Sequence, residues 1–135
     1  MARGLPTDLR LLDAIYRRYV DEFSAFNEED KTRSTKIWVP IDIEALGKRF
    51  GCDPDMIFGR LYYHLNGKHR QPMKDGAMEF FEMRVGGDRH CVNFPFLASV
   101  LADLREEQRR FVVATRIAGL SLVISLVSIG LAVLT

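Results

Sequence analysis

Apolar residues recur at helical spacing near the start of the chain. Leu9, Leu12, Ile15, Tyr16, Tyr19, Val20 and Phe23 share one face, and Arg10, Asp13, Arg17, Arg18 and Asp21 fill the other. The predicted helix opens at Pro6-Thr7-Asp8, where Thr7 or Asp8 can cap free N–H groups, and runs to about Phe26. Asn27 to Thr35 carries no apolar residue and reads as a solvated loop. Lys36-Ile37-Trp38-Val39 is β-branched and aromatic, a short strand stopped by Pro40. Asp42 then caps a helix over Ile43 to Phe50 with Ile43, Leu46 and Phe50 inward, and Gly51 can take the left-handed conformation that ends it. Asp53 caps the next helix, with Pro54 at its first position, and Asn66-Gly67 is expected to stop it after Leu65. Two helices joined by a tight glycine-containing turn make a helix-turn-helix.

The pattern changes after Leu65. Asn66 to Ala77 reads as a polar, turn-rich connection. Met78 to Val85 and Asp88 to Phe94 are strand-like, with Gly86-Gly87 as a hairpin turn between them. The alternation around Glu79-Phe80-Phe81-Glu82 is imperfect and leaves open which face of that strand is buried. A last helix begins at Pro95 and continues into Phe111 to Thr135. From Ile117 onward it holds no charge over about 28 Å at ~1.5 Å per residue. That length matches the ~30 Å hydrocarbon core of a bilayer, so this stretch is expected to be one transmembrane helix.

Charge orients that span. Arg105, Arg109, Arg110 and Arg116 flank its N-terminal end, which the positive-inside rule assigns to the cytoplasm. No apolar run near the N-terminus suggests a signal peptide, and nothing follows the span. The expectation is a tail-anchored, single-pass protein, of bacterial inner-membrane type, with its N-terminal domain in the cytoplasm. Cys52 and Cys91 lack ligand or CxxC spacing, and reduced thiols agree with that compartment. A formal net charge of +1 provides no global signature for a polyanion.

The order helix, strand, helix, helix, strand, strand resembles the winged-helix family, in which a helix-turn-helix is backed by a small sheet whose hairpin forms a wing. The resemblance covers roughly Pro6 to Phe94 and rests on element order and capping residues rather than on a diagnostic motif. It implies an α+β fold with a winged-helix-like domain at 1–94; the apolar pattern after it divides the rest into a juxtamembrane helix at 95–110 and a transmembrane helix at 111–135. It also implies that Pro54 to Leu65 is the helix such domains lay in the DNA major groove. Ile57, Phe58, Leu61 and Leu65 would then face the core, with Arg60, Tyr63 and His64 outward.

Between Arg60 and Lys74 stand Arg60, Lys68, Arg70, Lys74, His64 and His69 with no acid, while Arg84 and Arg89 lie at the wing. The candidate nucleic-acid contacts are Arg60, Tyr63, His64, Lys68, Arg70, Lys74 and Arg89. Against that stand Asp53 and Asp55 at the end that would approach the bases, and a single unambiguous cation on the helix itself. Two functions are therefore carried forward. One is a membrane-tethered DNA-binding regulator; the other is a membrane-anchored adaptor whose head binds a cytoplasmic protein and no nucleic acid. Ala114, Ala118, Ser121, Ser125, Ser128 and Ala132 form a small-residue stripe in the span, which suggests a second copy as a further partner. No catalytic, metal or cofactor site is expected. His64 and His69 match no ligand spacing, and His90 and Cys91, adjacent on a strand, point to opposite faces.

Overall fold

The computed structural model describes residues 4–135, so residues 1–3 of the expected 1–94 domain lie outside the described residues. Helix α1 (Asp8–Ser24) is opened by Thr7, whose side chain accepts the Arg10 N–H at 3.3 Å. It buries Leu11, Leu12, Ala14, Ile15 and Tyr19, and it ends just short of the expected Phe26. The polar connection that follows is more than a solvated loop. Arg33 is only 5% exposed, and its guanidinium donates to the carbonyls of Glu22, Phe23, Thr35 and Lys36 at 2.9–3.2 Å. Two of those carbonyls belong to the last turn of α1, where a helix runs out of its own donors.

Strand β1 (Trp38–Pro40) includes the proline expected to stop it. A residue without an N–H is tolerated there because β1 lies at a sheet edge. Helix α2 (Ile43–Phe50) has Asp42 as its cap, accepting the Ala45 N–H at 3.0 Å, and Gly51 closes it at φ 67°. The Asp42 N–H donates to the Tyr19 hydroxyl at 2.7 Å, which ties this corner to α1. Helix α3 (Pro54–Gly59), capped by Asp53, continues through a wide π-helical stretch (Arg60–Leu65) into a final turn, α4 (Asn66–His69). Asn66-Gly67 therefore does not stop the helix. The Asn66 side chain instead reaches the chain where a later strand starts, its Oδ1 accepting the N–H groups of Phe80 and Phe81 at 2.7 and 3.0 Å.

The connection expected to be irregular holds a hairpin, β2 (Gln71–Met73) and β3 (Gly76–Met78). Strand β4 (Phe81–Val85) starts later than the expected Met78 and pairs with β5 (Asp88–Asn93), with Gly86 in the turn at φ 61°. These two and β1 form an antiparallel sheet in the order β1-β5-β4. The ambiguity at Phe80-Phe81 resolves because both are buried. Phe80 lies just outside β4 and stacks on Phe96 (5.0 Å between centroids), while Phe81 is the first residue of the strand. Helix α5 (Phe94–Leu134) begins one residue before Pro95.

The chain forms two compact units, one reaching to Leu101 and the other Ala102–Thr135. The first is a small α+β domain whose fully buried centre includes Leu11, Leu12, Ile15, Val39, Leu46, Ile57, Leu61, Leu65 and Val92. Phe94 and Leu97, from the first turns of α5, are part of that core, with Phe94 stacked on Phe23 at 4.9 Å. The second is a long apolar helix that is exposed along its length.

Candidate functional site

Side chains four apart on an α-helix drift round it by about 40° per step. Through Arg60–Leu65 the backbone widens, with the Asn66 N–H bonded to the Leu61 carbonyl five residues back, and this counters the drift. Arg60, His64 and Lys68 consequently line one side of the helix and converge on a single carboxylate, that of Asp8 in the first turn of α1. Arg60 Nη2 pairs directly with Asp8 Oδ1, while His64 Nε2 and Lys68 Nζ each lie 3.6 Å from Oδ2. The Asp8 side chain is 13% exposed, Arg60 24%, His64 46% and Lys68 53%. The three cations thus share one carboxylate, with Arg60 the most enclosed of them and Lys68 the most exposed. Arg60 Nε is buried without a hydrogen-bond partner among the described residues.

The remaining expected contacts are distributed over other elements. Arg70 follows α4 and grips Glu79, with Nη2 at 2.9 Å and Nε at 3.1 Å from Oε1. Asn66 Nδ2 also donates to Glu79 at 2.8 Å. The Arg70 and Asn66 hydrogen bonds hold the Glu79 carboxyl below its ordinary value. Lys74 is exposed in the turn between β2 and β3, and Arg89 is exposed on β5. Tyr63 is 79% exposed, with its ring edge-on to Phe58, and Met56 on the same helix is 53% exposed. Ile57, Leu61 and Leu65 are buried as expected, while Phe58 is half-buried.

Behind the helix, the Tyr62 hydroxyl donates to the Glu82 carbonyl at 3.3 Å and meets His90 Nδ1 at 3.0 Å. Burial pushes the Tyr62 phenol up, the neighbouring Cys91 and Glu82 add to this, and Arg89 opposes it. His90 sits at φ 55°, a left-handed conformation that strains most side chains, and its imidazole is held below the ordinary value by burial and then by Arg89. The tip of the β4–β5 hairpin is tied down by a 2.7 Å bond from the Ser34 N–H to Asp88 Oδ2. At Gly86 an added Cβ would run into the Ser34 side chain.

The acidic partners Asp8 and Glu79 are not found by the sequence pattern. Asp8 reads there as one of two possible helix caps, and no local pattern points from it to Arg60, fifty-two positions away. Cys91 is buried and its thiol is raised to about 11, first by burial and then by Asp88. No group of three or more His, Cys, Asp or Glu side chains suited to a metal ion occurs among the described residues.

The second unit carries one candidate membrane span by length and composition, and its apolar window is unburied. Ala114, Ala118, Ser121, Ser125, Ser128 and Ala132 are all exposed on it. Ser128 Oγ donates to the Ile124 carbonyl at 3.0 Å, so this hydroxyl is satisfied by its own helix. No family model, curated protein or solved structure matches this chain.

Proposed function

We propose that the chain is a single-span membrane protein whose cytoplasmic head is a winged-helix-like module that binds the phosphate backbone of duplex DNA. The reading of the head is supported by its sheet order β1-β5-β4, in which the hairpin β4–β5 closes beside β1 after two consecutive helices. The observation that carries the ligand class is the row Arg60, His64 and Lys68 on one helix side, with His64 and Lys68 reaching solvent. Arg60 organises the row through Asp8, His64 and Lys68 are its contacting groups, and Lys74 and Arg89 add charge from neighbouring elements. Tyr63 offers a stacking or packing surface beside them. The membrane reading is supported by the long, unburied apolar helix and the arginines at its head-proximal end.

Few cations on the helix are free of a carboxylate partner, so the binding is weak and not sequence-selective. With two to four phosphates neutralised, the slope of log K against log salt is about −2 to −4. Titrating the full chain, held in nanodiscs of zwitterionic lipid, with random duplex DNA tests this. A slope in that range, reduced by Lys68→Gln, supports the reading; no binding even at low salt overturns it. A second reading, a protein-binding adaptor, is favoured by a different observation. Arg60 and Arg70 are both neutralised within the chain, while Tyr63 and Met56 are exposed. An absence of DNA binding makes the adaptor the better account.

A further inference from the structure

The approach to the candidate span carries cations on one side. At about 100° per residue, Arg105, Arg109 and Arg116 of α5 fall within about 40° of one another. Arg109 and Arg116 are separated by about 10 Å along the axis. Of the acids on this stretch, Glu106 is about 60° from Arg109 and pairs with it, while Asp103 and Glu107 lie at least about 120° from the column. Glu106 lies 3.4 Å from Arg109 Nη2 and from Arg110 Nε, both long contacts between exposed groups. Arg110 itself is about 100° away from the column.

Arg116 is the cation whose position most needs an anion. Phe111 to Thr115 above it and Ile117 to Leu134 below it carry no charge. An apolar helix from Phe111 to Leu134 spans about 36 Å, longer than a ~30 Å hydrocarbon core. The surplus of about 6 Å falls at the arginine-flanked end, so Arg116 stands at the cytoplasmic edge of the core, just before the uncharged run from Ile117. A guanidinium at that edge is costly unless it reaches the headgroups. Helical side chains lean toward the N-terminus, so the Arg116 stem rises past Val112 along the face that holds Arg109.

Resting on the membrane reading of α5, we infer that Arg109 and Arg116 clamp the phosphodiester of one anionic phospholipid in the cytoplasmic leaflet. Arg105 adds positive potential above the clamp. Guanidinium groups match phosphate oxygens in a planar, forked geometry. A zwitterionic headgroup would bring its own cation against the same pair, whereas an anionic one adds none. The site therefore selects the anionic lipid.

The test uses the full chain in detergent, re-lipidated with equal amounts of phosphatidylglycerol and phosphatidylcholine, with retained lipids counted by native mass spectrometry. Retention should favour phosphatidylglycerol roughly fivefold. Arg116→Gln and Arg109→Gln should each remove most of that preference, and Arg110→Gln should leave it in place. Equal retention of the two lipids, or an Arg110→Gln effect as large as that of Arg116→Gln, overturns the clamp. Alkaline carbonate extraction separates this from the underlying reading. A chain released from bilayers refutes the span and the clamp together, whereas one that stays but shows no lipid preference refutes the clamp alone.

Discussion

Arg33 shows how a polar segment can be held as firmly as a core. Its guanidinium serves four backbone carbonyls and lies over the Phe26 ring at 4.9 Å, joining the end of α1 to the approach to β1. Arg33→Ala leaves these carbonyls short of a donor and should cost roughly 2–4 kcal/mol in thermal or urea unfolding. Arg33→Lys should recover only part of that, because an ammonium cannot reproduce the fork. Two imidazoles make stability depend on pH. His69 is held below the ordinary value by burial and then Lys68, and His90 by burial and then Arg89. On acidification the unfolded chain takes up these protons first, near its pKa of about 6.5. The stability they lend is thus complete above about 6.5 and falls as pH drops toward the folded values. The unfolding midpoint should decline from about pH 7.5 to about 5.5, and a His69→Gln/His90→Asn variant should flatten the decline. Glu82, raised by burial and then Glu79, acts in the opposite sense at lower pH. A decline that is equally steep in the variant would assign it to other groups.

At the scale of elements, the helix from Pro54 to His69 is tied to its neighbours by one carboxylate of α1 and by a side chain of its own last turn. Asp8 draws its cations toward α1, and Asn66 anchors it to β4. Asn66→Ala strips the acceptor from the N–H groups of Phe80 and Phe81 and a donor from Glu79. It should cost about 1–3 kcal/mol and speed hydrogen exchange at Phe80 and Phe81. Asp8 sets the charge that the row offers outward. Asp8→Asn should tighten DNA binding and steepen the salt slope by about 0.9, one additional phosphate. An unchanged slope with binding intact would mean that the row is not where the phosphates sit. The helix also shows why its own end was misread. Asn-Gly is a strong local stop signal, but Asn66 gains more from the amides of Phe80 and Phe81 than from capping, and Gly67 lies exposed in the continuing turn.

The whole molecule joins a small α+β domain to a helix with nothing to pack against among the described residues. If a bilayer covers that helix, one charge at its middle should be tolerated poorly. Ile124→Arg carries an insertion cost of about 2.5–3.5 kcal/mol and should move much of the chain into the carbonate-soluble fraction. Retention equal to that of the parent chain would remove the span from the account. Several features were legible in the sequence because their causes are local. They include the helical period of α1, the Asp42 and Asp53 caps, Gly51, the Gly86-Gly87 turn and the uncharged run after Arg116. Each depends on residues within a turn or two of one another, where backbone sterics and hydrogen-bond valence leave few alternatives. The rest needed the folded chain. That Pro40 belongs to β1, that Phe80 and Phe81 are both buried, and that Arg33 caps α1 all depend on partners distant in sequence. The candidate site was half legible: the basic run from Arg60 to Lys74 was visible, but its pairing was not. Asp8 meets Arg60, His64 and Lys68 only because packing of the two helices sets a carboxylate opposite a π-widened turn, and no periodicity encodes a distance between helices.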